Sequence, residues 1–214
     1  MAETIGVIDY GMGNLHSLGK ALERVASSQR VVVSYDPDEL RHCDKLVLPG
    51  VGGVRACMKE LQRLELNDLV IEQAKKVPLL GICLGMQVLH EWSDENEGVK
   101  ALGLIPGKVV RFPDPAPDAA PRLKVPHMGW NRVQQTRRHP VWAGVPDQSW
   151  FYFVHSYHAE PQNRQHLLGT ADYGTPFAAA VTRENIVAFQ FHPEKSQAPG
   201  MALLANFVNW NGVG

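Results

Sequence analysis

The chain has 214 residues, with 21 lysines and arginines against 22 aspartates and glutamates and a formal net charge of -1. That length suits one α/β domain with a sizeable core, and no charged run points to nucleic acid or a membrane surface. Three cysteines, Cys43, Cys57 and Cys83, lack C-x-x-C spacing, which argues against a disulfide framework or zinc ribbon and for a reduced, cytoplasmic setting.

The opening "MAETIGVIDYG" has no basic n-region and no long apolar core, so no secretion signal is expected. No apolar run approaches the ~20 residues of a membrane helix. "TIGVID" is short and β-branched and reads as a buried strand. "NLHSLGKALERVASS" places Leu15, Leu18, Leu22 and Val25 at helical spacing, with Asn14 as N-cap. "RVVVS" and "KLVLPG" repeat the strand pattern, "MKELQRLELNDLVIEQAKK" predicts a helix with a break near Asn67, and "VPLLGI" predicts another buried strand. Alternating strands and helices predict a mostly parallel central sheet with helices on both faces, a three-layer α/β domain.

Beyond residue 105 the pattern changes. "GKVVRF", "WNRVQ", "SWFYFVHSYHAE", "HLLGTADY", "PFAAAVT" and "NIVAFQF" read as strands with few helices between them. They predict an antiparallel extension of the same sheet, or a second sheet. "FPDPAPDAAP" has the composition of a surface loop, and "APGMALLANFVNW" closes the chain as a helix with Pro199 early in it. Each half alone offers too few strands, so residues 1–214 are expected to form one domain.

The stretch "GICLG" frames Cys83 between Gly81 and Gly85 where a strand gives way to a helical pattern. The G-x-S-x-G elbow uses flanking glycines in this way to lift a nucleophile above a sheet edge. The helix predicted over "LGMQVLHEW" would aim its positive end at the sulfur, favouring the thiolate. The Leu84 N–H would face a developing oxyanion. On these five residues alone, Cys83 reads equally well as a small core residue beside a packing glycine.

A thiol nucleophile needs a base, and the base needs an orienter. "IVAFQFHPEKS" ends in His192-Pro193-Glu194, where an extended backbone would project His192 and Glu194 to one side. A strand-ending histidine beside a solvated glutamate is the plainer alternative. "LVLPGVGGV" sets glycines directly after a strand, where backbone N–H groups can turn inward as oxyanion donors. It lacks G-x-x-x-x-G-K-[ST], and "DYGMGNLHS" carries His16 where a dinucleotide fingerprint needs glycine or alanine, so no nucleotide cofactor is expected. His155 and His158 lie in a β-patterned stretch and should face opposite sides, so no metal is expected either.

Taken together and in order, "PGVG", "GICLGMQ" and "FHPE" resemble the class I glutamine amidotransferases. "DYGMGNLHS", "VPHMGWN", "YFVHSYH" and "FQFHPEKS" narrow the resemblance to the glutaminase subunits of imidazole glycerol phosphate synthases, over nearly the whole chain. It implies Cys83 as nucleophile, His192 as base and Glu194 as its orienter. It implies an oxyanion site at Val51, Gly52 and Leu84, and glutamine contacts from Gly50, Gln87, Ser156 and Tyr157. It places His127, Met128, Trp130, Asn131, Tyr152 and Lys195 against a (β/α)8-barrel cyclase, in a heterodimer that channels ammonia from L-glutamine. The glycines of "PGVG" further imply a peptide that flips to present or withdraw an N–H. Two departures stand out: "GGVRACM" where an alanine and an aromatic are usual, and Ala101 in place of a common glycine. "VPHMGWN" and "YFVHSYH" argue against sister glutaminases serving anthranilate, guanylate or pyridoxal phosphate synthesis.

Overall fold

The computed structural model describes residues 2–114 and 123–214. The β-branched runs of the first half form β1 (Thr4–Ile8), β2 (Arg30–Ser34), β3 (Lys45–Leu48) and β4 (Leu79–Ile82). They lie parallel in the order β2-β1-β3-β4. Every residue of β3 and β4 is buried, as in strands covered on both faces. The connections are α1 (Leu15–Val25), α2 (Pro37–Arg41), α3 (Val54–Arg63) and α4 (Leu66–Gln73). Asn14 occupies the N-cap of α1 but makes no side-chain capping bond, contrary to expectation. Asp36 does cap α2, accepting from Asp38 N, with Pro37 in the first turn. The predicted helix break comes before Asn67, at Glu65, whose φ of 58° is left-handed.

The second half supplies α5 (Leu84–Val88), β5 (His90–Ser93), β6 (Val99–Lys100), β7 (Ile105–Arg111) and β8 (His127–Gln135). Then come β9 (Ser149–His155), β10 (Tyr157–Pro161), β11 (Leu167–Asp172), β12 (Pro176–Arg183), β13 (Ile186–Phe189) and α6 (Gln197–Asn209). β13 runs parallel beside β4, with Ala188 opposite Gly81, so the chain returns to the middle of the sheet. Beyond β13 the sheet continues antiparallel through β12, β10 and β7, while β8 and β9 form a hairpin attached through β11. Both sequence alternatives are thus realised in one connected network.

Two core clusters form. One joins Leu18 and Leu22 of α1 to Leu203, Leu204 and Phe207 of α6; the other joins Cys57 and Leu61 of α3 to Leu69 and Val70 of α4. β5 and β6 were not expected, because "LHEW" continues a helical pattern. "SWFYFVHSYHAE" is two strands, broken at Ser156, that pair with different neighbours. The loop expected over "FPDPAPDAAP" falls mostly on residues 115–121, outside the described residues. Among the described residues no helix is long and apolar enough to cross a membrane.

Candidate active site

The end of β4 turns into α5 at Cys83, whose φ of 54° and ψ of -107° no ordinary helix or strand uses. Close approach explains both flanking glycines. A Cβ on Gly85 would lie 1.8 Å from the Leu48 carbonyl oxygen, and one on Gly81 would lie 2.8 Å from Leu89 Cδ1 and 3.0 Å from Ala188 Cβ. The strained residue is held by its N–H, which donates to Phe189 O at 2.7 Å. α5 stops at Val88 because His90 opens β5. The helix is therefore shorter than predicted, and so is its contribution to the field at the sulfur.

The base arrives from the neighbouring strand. β13 ends at Phe189, and Pro193–Lys195 form a 3-10 turn with His192 extended just before it. The expected pairing of His192 with Glu194 occurs across this turn, not along a strand. His192 Nδ1 lies 2.8 Å from Glu194 Oε1, with both side chains 3% exposed. The turn is fastened by Ser196 Oγ, which donates to His192 O at 2.6 Å and accepts from Tyr152 N at 3.0 Å. Glu194 engages Nδ1, which leaves the buried Nε2 without a hydrogen-bond partner among the described residues. Burial pulls the His192 pKa down, but the interactions with Cys83 and Glu194 outweigh it and raise it to about 9.

Cys83 opens onto a cavity of about 340 Å³, whose walls include Val51, Gly52, Leu84, Gln87, Ser156 and Tyr157 from the predicted set. Gly50 sits behind the loop, where a Cβ would lie 2.1 Å from Tyr10 Oη and 3.0 Å from Leu84 Cβ. Tyr10 Oη donates to Pro49 O at 2.8 Å. The Leu84 N–H is not free, as the sequence suggested, but donates to Gly50 O at 3.4 Å. The Gly50 carbonyl therefore occupies the Leu84 N–H that the sequence offers as an oxyanion donor. Gln87 is likewise engaged: its Nε2 donates to Tyr157 O at 2.9 Å and to Gln190 Oε1 at 3.0 Å.

Glu95 went unnoticed in the sequence, because "SDENEG" reads as a solvated turn. Its carboxylate is the one acid in the cavity wall, and Oε2 accepts from Val54 N at 2.7 Å. Arg55 explains the departure in "GGVRACM": its guanidinium donates to Asn96 O and Gly98 O and ties down the loop that carries Glu95.

Residues 6–210 match the family model for class-I glutamine amidotransferases. The chain belongs to the class I glutamine amidotransferase family. It is 54% identical over 209 residues, covering 97% of this chain and 96% of the relative, to the imidazole glycerol phosphate synthase subunit HisH of Methylococcus capsulatus. Identity to the subunit HisH of Nitrosococcus oceani is 52%, over 98% of this chain and 99% of that one. A glutamine amidotransferase crystal structure superposes with a TM-score of 0.70 at 18% identity, covering 96% of this chain and 99% of that chain. For the structure of PurLQS from Thermotoga maritima the TM-score is 0.70 at 15% identity, covering 98% of this chain and 99% of that chain. At such identities the structures support the α/β fold alone.

Behind the pocket of this amidotransferase lies a buried histidine pair. His155 Nδ1 donates to Tyr157 O at 2.8 Å, which leaves its Nε2 to accept from His127 Nδ1 at 2.9 Å. Burial lowers the pKa of His155 to about 3 and that of His127 to about 4, so both rings are neutral near pH 7. The break at Ser156 also overturns the expectation that His155 and His158 face opposite sides, since both rings pack on Phe112, with centroids 5.2 and 4.6 Å away. Among the described residues no histidine, cysteine, aspartate and glutamate group is placed to hold a metal ion.

Of the predicted partner residues, Met128 and Trp130 stand out from β8, 63% and 45% exposed. Lys195 Nζ lies 5.9 Å from the Tyr152 ring centre, and the Trp130 and Tyr152 rings are 6.0 Å apart. His127 and Asn131 do not belong to this surface. His127 is buried and stacked on Tyr173, and the half-buried Asn131 donates through Nδ2 to Asp172 O at 2.8 Å on the opposite face of β8. The sequence reading missed Trp150, 48% exposed, with the Arg132 guanidinium 5.0 Å over its ring. The alternation of "SWFYFV" puts it on the face of Tyr152.

Proposed function

We propose that this amidotransferase is the glutaminase subunit of an imidazole glycerol phosphate synthase, acting in histidine biosynthesis in the cytoplasm. The observation that carries the chemistry is the buried His192, held at 2.8 Å by Glu194 through Nδ1, with Nε2 left free to act on the Cys83 thiol. A cationic imidazole beside a thiol favours the nucleophilic thiolate. The sulfur attacks the amide carbon of L-glutamine, and His192 delivers its proton to the departing ammonia. Neutral His192 then takes a proton from water as it attacks the thioester, which releases glutamate and restores the thiolate. Glu95 supplies the anion that the substrate's α-ammonium requires.

The Gly50 carbonyl must leave the Leu84 N–H before the oxyanion can be held there. Rotation of the Gly50–Val51 peptide removes that carbonyl and brings in the Val51 N–H, so one motion supplies two donors. A partner that drives this rotation would make glutamine hydrolysis conditional on its presence. The partner we propose is a (β/α)8-barrel cyclase, docked on Met128, Trp130, Tyr152 and Lys195. It would receive ammonia and form imidazole glycerol phosphate and an aminoimidazole carboxamide nucleotide. The identity to HisH subunits over nearly full length supports this reading.

Glutamate release tests it, measured for the chain alone, with a barrel cyclase, and with that cyclase plus its nucleotide ligand. A large rise only in the complete mixture is expected. Equal rates in all three would identify a free-standing hydrolase instead.

A further inference from the structure

Gln190 lies between the end of β13 and the His192 turn, fully buried, and belongs to none of the roles assigned above. A buried amide is costly unless its donors and acceptors are matched. The surrounding bonds fix which way it points. Gln87 Nε2 is identified as the donor end of Gln87 by its bond to the Tyr157 carbonyl at 2.9 Å. The same Nε2 lies 3.0 Å from Gln190 Oε1, so the oxygen of Gln190 faces Gln87. The Gln190 NH2 group is thereby aimed at Cys83 Sγ, 3.8 Å away. On another side of the sulfur lies Val154 O, at 4.0 Å. That carbonyl can accept from a thiol S–H but only repels a thiolate, whereas the Gln190 N–H can donate to a thiolate.

We infer that Gln190 is a catalytic residue whose side-chain amide donates to the Cys83 sulfur and stabilises the thiolate, both as it attacks and as it is expelled from the second tetrahedral intermediate. Gln87 then acts through Gln190: by engaging Oε1 it keeps the donor end on the sulfur. The assignment of attack and expulsion rests on the glutaminase reading, but the contact with sulfur does not. Among the described residues, the titratable groups facing the sulfur or its cavity are His192, Tyr10, His155, Tyr157 and Glu95. None is altered by a change at Gln190.

The test is the rate of Cys83 alkylation by iodoacetamide against pH, on the full chain, read by mass spectrometry of the Cys83 peptide. Gln190→Met keeps the length of the side chain and removes the donor. Its alkylation profile should lie about one pH unit above that of wild type, so that it is about tenfold slower on the acid side of the wild-type midpoint. The two rates should converge on the alkaline side, where the thiol is ionised in both. Superimposable curves would overturn the inference. Gln87→Leu, which frees the Gln190 amide to rotate, guards against a folding defect in the first variant. It should shift the curve in the same direction by less, and an unshifted curve would also count against the inference. Glutamate release with the cyclase is measured in parallel. A shifted alkylation curve beside a wild-type chain that never hydrolyses glutamine would refute the glutaminase reading and leave the sulfur contact standing.

Discussion

Acid should unfold this protein well above the carboxylate range, and two buried histidines give the size of the effect. His90 is fully buried in β5, with Nδ1 3.1 Å from Met86 O and Nε2 without a partner. Burial lowers its pKa to about 4, and that of His155 to about 3, from 6.5. The folded chain therefore binds fewer protons than the unfolded chain below pH 6.5. The stability from keeping these rings neutral is complete above that pH and is lost as pH falls toward 4. At pH 5 each costs the native state about 2 kcal/mol, and the pair about 4 kcal/mol, a large part of the ~5–15 kcal/mol of a typical domain. His127, His139 and His158, also lowered by burial, act in the same direction. His192 does not: its raised pKa gives stability that is complete below 6.5 and is lost as pH rises through about 9. Urea unfolding followed by tryptophan fluorescence at about pH 7, 6 and 5 measures the slope, which near pH 5 should match uptake of at least about two protons. His90→Leu should remove one of them. A urea midpoint unchanged between pH 7 and 5, or a His90→Leu slope equal to wild type, would refute the reasoning.

Cys83→Ala should abolish glutamate release yet leave product formation by the cyclase complex intact when ammonia is supplied directly; wild-type glutamate release by the variant would remove Cys83 from the mechanism. His192→Asn should lower kcat by several orders of magnitude, because one residue serves as acid and base, and a near-normal rate would exclude it. Glu95→Gln should raise KM for glutamine roughly tenfold or more with kcat largely retained, since a charged partner of the α-ammonium is lost; an unchanged KM would place the ammonium elsewhere. Trp130→Ala should weaken binding to the cyclase by about 2 kcal/mol in titration calorimetry while the isolated chain keeps its basal glutaminase rate, and unchanged affinity would move the interface off β8.

Cys83 and His192 were legible as candidates because each is framed by residues with few alternative uses. Gly85 tolerates no Cβ beside the Leu48 carbonyl, and Pro193 follows His192 directly and opens the 3-10 turn. The parallel half of the fold was legible because strands buried on both faces read as near-continuous apolar runs, as in Leu46–Leu48 and Leu79–Ile82. What escaped depends on contacts between distant segments. β5 hides in a helical pattern, and its hydrogen bonds come from β7, with His90 opposite Ile105. Glu95 looks solvated because its partner, Val54 N, is 41 residues away, and Gln190 meets Cys83 across 107 residues. Within "VPHMGWN", strand alternation puts His127 and Asn131 on the face of β8 opposite Met128 and Trp130.

The two halves of the catalytic apparatus are prepared to different degrees. The side chains of Cys83, His192 and Glu194 are buried, His192 and Glu194 are paired at 2.8 Å, and Phe189 O, Ser196 and the 3-10 turn hold their backbone. The oxyanion side is closed, with Gly50 O on the Leu84 N–H at 3.4 Å, a longer and weaker bond than the 2.8 Å from Tyr10 Oη to Pro49 O just before it. The loop is thus anchored at Pro49 and loosely latched at Gly50, so a peptide rotation can start at Gly50 without disturbing the strand that carries it. Losing an oxyanion donor costs on the order of 10²–10³ in kcat. On the proposed reading one weak hydrogen bond, worth on the order of 1 kcal/mol, adds to the closure of the loop, and the energy needed to release it is within the reach of partner binding.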